Sequence, residues 1–172
     1  MVALPACQSE LLGSLIMHTP PTPDFIDHLM NEAIGHAKSA ARAGEVPVGA
    51  VIAHNNTIIG TGRNTTEEDQ SVIAHAEIHA IRETSKKLGS WRLNDCVMCV
   101  TLEPCTMCLG AIRLARIPVI IFGAGDSAQG AVGSLYDLSL DDRLGTPPRV
   151  IRNIKAAECQ ALLKEFFSSL RT

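Results

Sequence analysis

Apolar positions along the chain fall into two rhythms. Phe25, Ile26, Leu29, Met30, Ala33, Ile34, Ala37 and Ala41 recur at the three- and four-residue spacing of one helical face, and Gly44 stops the run. Thr22-Pro23-Asp24 suits its start, because Thr caps, Pro fits the first helical turn and Asp complements the positive end of the dipole. Val48 to Ala53 and Thr57 to Thr61 are β-prone runs joined by His54-Asn55-Asn56, the turn chemistry of a hairpin. Asn64 to Val72 is polar and predicts a loop. Ala74, Ile78, Ile81 and Leu88 predict a second helix ended by Gly89, and Cys96 to Thr101 is continuously apolar, the mark of a strand buried on both faces. A third helix is expected from Pro104 to about Ala115, a strand over Val119 to Phe122, and a Gly-rich irregular stretch from Gly123 to Gly133. A fifth strand over Arg149 to Ile154 and a closing helix over Ala156 to Leu170 complete the pattern. Strands alternating with helices predict a three-layer α/β sandwich, with the strand order left open.

A length of 172 residues suits one domain with a core that needs no disulfide staples. Apolar residues make up 46% and aromatics only 3%, so the interior must be built from Ala, Val, Ile, Leu and Met. No apolar run approaches the length of a membrane span, about 18 residues. Residues 1–23 lack a basic start and a cleavage signature, and are expected to form a flexible or loosely docked extension. Six cysteines without a secretion signature point to a reducing, cytoplasmic setting, where closely spaced pairs are metal ligands or redox groups. The net charge of −3 gives no global attraction for phosphate, so any nucleic-acid contact must be local. Lys86, Lys87, Arg92, Arg113, Arg116, Arg149 and Arg152 are the candidates for it.

The chemistry concentrates in two short motifs. His75-Ala76-Glu77 opens the second predicted helix, and Pro104-Cys105-Thr106-Met107-Cys108 opens the third. Zinc favours thiolate and imidazole, and three protein ligands with one open position make a catalytic site. Helix starts also stabilise thiolates. H-x-E followed by P-C-x-x-C is the signature of zinc-dependent base deaminases, which assigns His75, Cys105 and Cys108 to the metal and Glu77 to proton transfer. In that chemistry zinc activates a water, and Glu77 takes its proton, passes it to a ring nitrogen and protonates the departing ammonia. A competing four-cysteine site with Cys96 and Cys99 is disfavoured: only five residues separate the two pairs. On a strand, moreover, Cys96 and Cys99 point to opposite faces. These two, with Cys7 and Cys159, are assigned to packing.

The stretch from Gly44 to Leu138, with GEVPVGAVIAHNN, GRN, AHAEIHAIR, VTLEPCTMCLGAI and IFGAGDSAQGAVGSLYDL, resembles the bacterial tRNA adenosine deaminase family, which makes inosine at the anticodon wobble position. The metal motifs are shared with cytosine, cytidine and guanine deaminases, which makes a deaminase of a free base or nucleoside the alternative, whereas LEPCTMCLGAI and GAVGSLYDL are closer to the tRNA enzymes. The resemblance implies a cytidine deaminase-like α/β/α sandwich around a five-stranded mixed sheet, one deaminase domain over residues 24–172, a zinc cofactor, the tRNA anticodon arm as partner, and a homodimer. It implies that Asn64 binds the base, with Val46 and the Ala76 backbone N–H lining the pocket. It also implies that Asp126 meets nucleotides beside the target and that Phe167 packs against RNA. Gly125 and Ala128 stand where the family often has Arg or Lys, and Asn64-Thr65-Thr66 where it often has Asn-Arg-Pro.

Overall fold

Helix α1 (Pro23–Arg42) starts as its sequence predicts: the Thr22 hydroxyl accepts the Phe25 N–H at 3.3 Å, and Pro23 occupies the first turn. Its apolar face, Leu29, Met30, Ala33 and Ile34, is buried. The computed structural model describes residues 21–171, so residues 1–20 of the expected extension, Cys7 included, lie outside the described residues. Strands β1 (Gly49–His54) and β2 (Thr57–Arg63) form the hairpin, with Asn55 and Asn56 both at positive φ, as a tight two-residue turn requires.

Helix α2 (Ala76–Leu88), strand β3 (Cys96–Leu102), helix α3 (Thr106–Leu114) and strand β4 (Val119–Ala124) follow. Strand β5 (Arg149–Ile151) and helix α4 (Ala156–Ser169) close the chain. Among the described residues the sheet has five strands in the order β2-β1-β3-β4-β5. It is mixed: β1 is antiparallel to both β2 and β3, while β3, β4 and β5 run parallel.

One face of the sheet packs against α1 and α4 through Val51, Cys99, Ile121 and Cys159; the other packs against α2 and α3 through Ile52, Met98, Ala80, Leu109 and Ile112. The three expected layers are therefore present. Cys96 and Cys99 enter opposite cores, which is the strand argument against a four-cysteine metal site made concrete.

Several boundaries differ from the sequence pattern: β2 runs on to Arg63 and β4 to Ala124, each two residues past its expected end. Helices α2 and α3 begin two residues later than expected, because His75 and Cys105 keep extended backbone and serve as the residues just before each helix. Strand β5 stops at Ile151, not Ile154: Asn153 and Lys155 adopt left-handed backbone, and the chain turns out of the sheet after three paired residues.

Glycine sets the distance between layers at one functional point. A Cβ on Gly62 would lie 2.1 Å from the Ala76 carbonyl oxygen, so only glycine lets β2 approach the start of α2 this closely.

Candidate active site

The parallel strands β3 and β4 end on the same edge of the sheet, where β2 also ends, and the segments leaving them converge there. His75 and Cys105 each precede a helix, and neither side chain caps it. Both are therefore free to turn toward one another. His75 Nδ1 lies 3.4 Å from Cys108 Sγ and 3.8 Å from Cys105 Sγ, and the three donor atoms all fall within 4.8 Å of one another. Tetrahedral zinc with ordinary bond lengths separates a nitrogen and a sulfur ligand by about 3.6 Å, so the trio fits that ion. It is the one such group of His, Cys, Asp and Glu side chains among the described residues.

The electrostatics follow from this crowding. The Cys105 thiol is pulled down to about 4, first by a hydrogen bond from Cys108 and, against burial, by His75. Cys108 moves the opposite way, because the proton it shares with Cys105 and its burial both favour the neutral thiol. The contact with Cys105 raises His75 despite burial. Without a cation the three groups thus share protons that a metal must displace. Burial pushes the Glu77 carboxyl up to about 7, and the side chain is only 3% exposed. Such a group exchanges protons near neutral pH, the property a general acid and base needs.

A cavity of about 540 Å³ opens over this centre. Val46, Asn64, His75, Ala76, Glu77 and Cys105 line its floor and near wall; Asp126 and Phe167 line it as well. All the residues predicted from the sequence for the base and RNA thus border one space, and Cys108 lies buried beneath it. Phe167 is 45% exposed, which sets it apart from a core aromatic, and its ring meets Phe166 edge-on. The Asn64 side chain is held from both ends: its Nδ2 donates to Glu45 Oε2 at 3.1 Å, and its Oδ1 accepts the Thr66 hydroxyl at 2.9 Å. Asp126 is partly engaged, since its Oδ1 accepts the N–H groups of Ala128 and Gln129.

Two carboxylates that the sequence pattern did not single out border the same cavity. Glu45, 1% exposed, accepts the N–H groups of Glu67 and Glu68 besides the Asn64 amide, and so ties down the polar loop that follows β2. Glu103, 2% exposed, accepts three backbone N–H groups from the opposite wall. The signal for both is a lone acidic residue at the margin of an apolar run, Glu45 before Val46-Pro47-Val48 and Glu103 after strand β3.

Two of the seven candidate phosphate-binding cations have internal work. The Arg113 guanidinium donates to the carbonyls of Leu138, Ser139, Asp141, Leu144 and Gly145, and Arg152 donates to Val132 and Asp137. Arg92 and Arg116 both lie against the half-exposed Trp91 ring, at 4.1 and 5.5 Å from its centroid.

The model of the MafB19-like deaminase family matches residues 26–171. The chain is 44% identical over 140 residues to the tRNA-specific adenosine deaminase of Streptococcus pyogenes serotype M1, covering 81% of this chain and 82% of that protein. It is also 44% identical over 142 residues to the tRNA-specific adenosine deaminase of Bacillus subtilis (strain 168), covering 83% of this chain and 88% of that one. A solved structure from a study of A-to-I editing by tRNA:A34 deaminases at the wobble position of transfer RNA superposes with a TM-score of 0.77 at 39% identity, covering 79% of this chain and 99% of that one. With the matching fold and the clustered His, Cys and Glu side chains, these likenesses make the chain a deaminase, a member of the family that includes the bacterial tRNA-specific adenosine deaminases.

Proposed function

We propose that this enzyme hydrolyses the exocyclic amine of adenosine at the wobble position of a tRNA anticodon, leaving inosine, with zinc held by His75, Cys105 and Cys108. The observation that carries this is one cavity that opens onto the clustered His75, Cys105 and Cys108 and is lined by a buried Glu77 carboxyl raised to about 7 and an Asn64 amide fixed at both ends. Zinc in that site supplies an activated water at neutral pH, with a pKa of about 7. Glu77 accepts one proton from the attacking water and delivers it to the ring nitrogen beside the attacked carbon; it then takes the second proton of that water, released as the new carbonyl forms, and gives it to the amine, which leaves as ammonia.

Asn64 supports the reading of a purine edge. Glu45 takes one of its two N–H donors and Thr66 one of its two acceptor positions, which leaves one donor and one acceptor for a base. Val46 and the Ala76 backbone line the slot, while Asp126 and Phe167 border it where flanking nucleotides of a splayed loop would lie. An anticodon loop offers such an unpaired base without the cost of opening a duplex.

The remaining features of this reading are a cytoplasmic location and a homodimer. Among the described residues no helix is long and apolar enough to cross a membrane. Leu114, Leu140 and Leu144 are exposed on the end of α3 and on the loop that Arg113 ties to it, an apolar surface suited to a second copy.

The test is inosine formation in an anticodon stem-loop, beside a scrambled-loop control and a panel of free adenine, adenosine, guanine and cytosine. Inosine should appear in the stem-loop and the free compounds should remain nearly untouched. Rapid ammonia release from a free base, with no inosine in the stem-loop, would refute the RNA assignment.

A further inference from the structure

The geometry points to Glu103 as a positioning residue that couples the metal-ligand segment to the substrate wall of the cavity. The claim rests on the proposed reaction for its kinetic consequence, and on hydrogen-bond geometry alone for its structural part. Glu103 stands between the end of β3 and Pro104-Cys105, two residues before a ligand. Its carboxylate leaves the strand and enters the turn formed by residues 125–134. There Oε1 accepts the N–H groups of Val132 at 2.8 Å and Ser134 at 3.0 Å, and Oε2 accepts that of Asp126 at 3.1 Å.

The surrounding backbone is shaped around this carboxylate. A Cβ on Gly130 would lie 2.6 Å from Glu103 Cδ and 2.7 Å from Oε2, so the loop passes the carboxylate at a distance only glycine permits. The same loop is stitched to the ligand segment next to it: Ala131 N–H donates to Pro104 O at 3.0 Å, and Gly130 forms a bridge with Cys105. From the far side Arg152 donates to Val132 O at 2.8 Å through Nη2 and at 3.1 Å through Nε. Both polar groups of residue 132 are therefore held by charged side chains, an anion on its N–H and a cation on its C=O.

The consequence is directional. Asp126, which borders the cavity, gets its backbone position from Glu103 Oε2, while Cys105 gets its own from the same short segment. Glu103 thus fixes the distance between the reacting centre and the wall against which the neighbouring nucleotide rests. Both its carboxylate oxygens are committed to backbone N–H groups and it lies outside the ligand trio, so it acts through position. Moving the wall changes how the substrate is held more than how the protons move, so its loss belongs in KM.

Glu103→Gln is the informative variant because it keeps the shape. Its amide oxygen still accepts from Val132 and Ser134, but its NH2 faces the Asp126 N–H, donor against donor. With zinc content unchanged, KM for the stem-loop should rise roughly ten- to hundredfold, the range for one lost charge-assisted hydrogen bond, while kcat stays within about threefold. Hydrogen exchange at the Asp126 amide should accelerate by about the same factor, and that at Val132 less. Arg152→Gln, at a partly exposed position, provides an independent variant should Glu103→Gln fail to fold, and should also raise KM with zinc retained. Unchanged KM and unchanged Asp126 exchange would overturn the assignment, as would a loss confined to melting temperature. If the unaltered enzyme makes no inosine in the stem-loop, the substrate reading falls, and the Asp126 exchange rate still decides the role of Glu103.

Discussion

Glu77 and Cys105 sit close together yet should fail differently when replaced. Glu77 borders the cavity outside the ligand trio, so Glu77→Ala should keep its zinc and its fold while activity falls by about 10²–10⁴-fold or more, the value of general acid and base help from one group serving several transfers. Cys105→Ser removes one of the three proposed ligands, and zinc content should drop from about one ion per chain to near zero, because a catalytic zinc is held by only three protein groups. Elemental analysis beside a single-turnover assay checks both. Equal zinc in the unaltered protein and in Cys105→Ser would remove Cys105 from the ligand set. The clustering of His75, Cys105 and Cys108 beside Glu77 was legible in the sequence because the two motifs have the spacing that a shared small ion would require. Glu45 and Glu103 were not, because a carboxylate that serves backbone N–H groups can come from any segment that ends nearby.

The helices depend on how closely they approach the sheet, and Gly62 is the sharpest case. A methyl there would press on the Ala76 carbonyl, which belongs to the first turn of α2 between His75 and Glu77. Gly62→Ala should destabilise the protein by about 1–3 kcal/mol, as overpacking does, and should lower metal affinity together with melting temperature. Thermal unfolding with and without a chelator measures both, and a variant that loses stability but binds zinc normally would show that the α2 start adapts. On the outer part of the same interface Glu83 accepts the Thr61 N–H at 2.7 Å and the Thr61 hydroxyl, and pairs with Lys87. The bond to Lys87 leads the effects that hold Glu83 below the usual carboxylate range. A depressed carboxylate stabilises the fold above its ordinary value and loses that contribution as pH falls through the depressed one. Glu83 is substantially exposed, so the effect is at most about 1 kcal/mol. The stability gap between the unaltered protein and Glu83→Gln should therefore be present at neutral pH and close as the solution is acidified below about pH 4; a gap that widens in acid contradicts the assignment.

Across the full chain the balance of charge and apolar surface decides association. Leu114 is 77% exposed and Leu140 68%, on a helix end and an arginine-tethered loop. A dimer covering them should dissociate on Leu114→Glu, with sedimentation velocity shifting from dimer to monomer while zinc content is retained. A monomer in the unaltered protein at high concentration would refute the dimer. Net charge −3, and the internal engagement of Arg113 and Arg152, leave a smaller set of cations for RNA than the sequence alone suggests. Those two arginines looked like surface charges because nothing in their neighbours reveals a partner: the carbonyls they bind lie 20 or more residues away.

Periodicity and spacing alone were enough for the helices, the hairpin, the buried character of β3, and the grouping of His75, Glu77, Cys105 and Cys108, because each follows from contacts within a few residues or from a short motif. The late starts of α2 and α3, the truncation of β5, the strand order, and the clamps of Glu45, Glu103, Arg113 and Arg152 required the folded chain. They arise where segments distant in sequence meet, as when Gly130 passes Glu103 or Gly62 passes Ala76, and steric exclusion and the need to satisfy buried N–H and C=O groups then choose the partner.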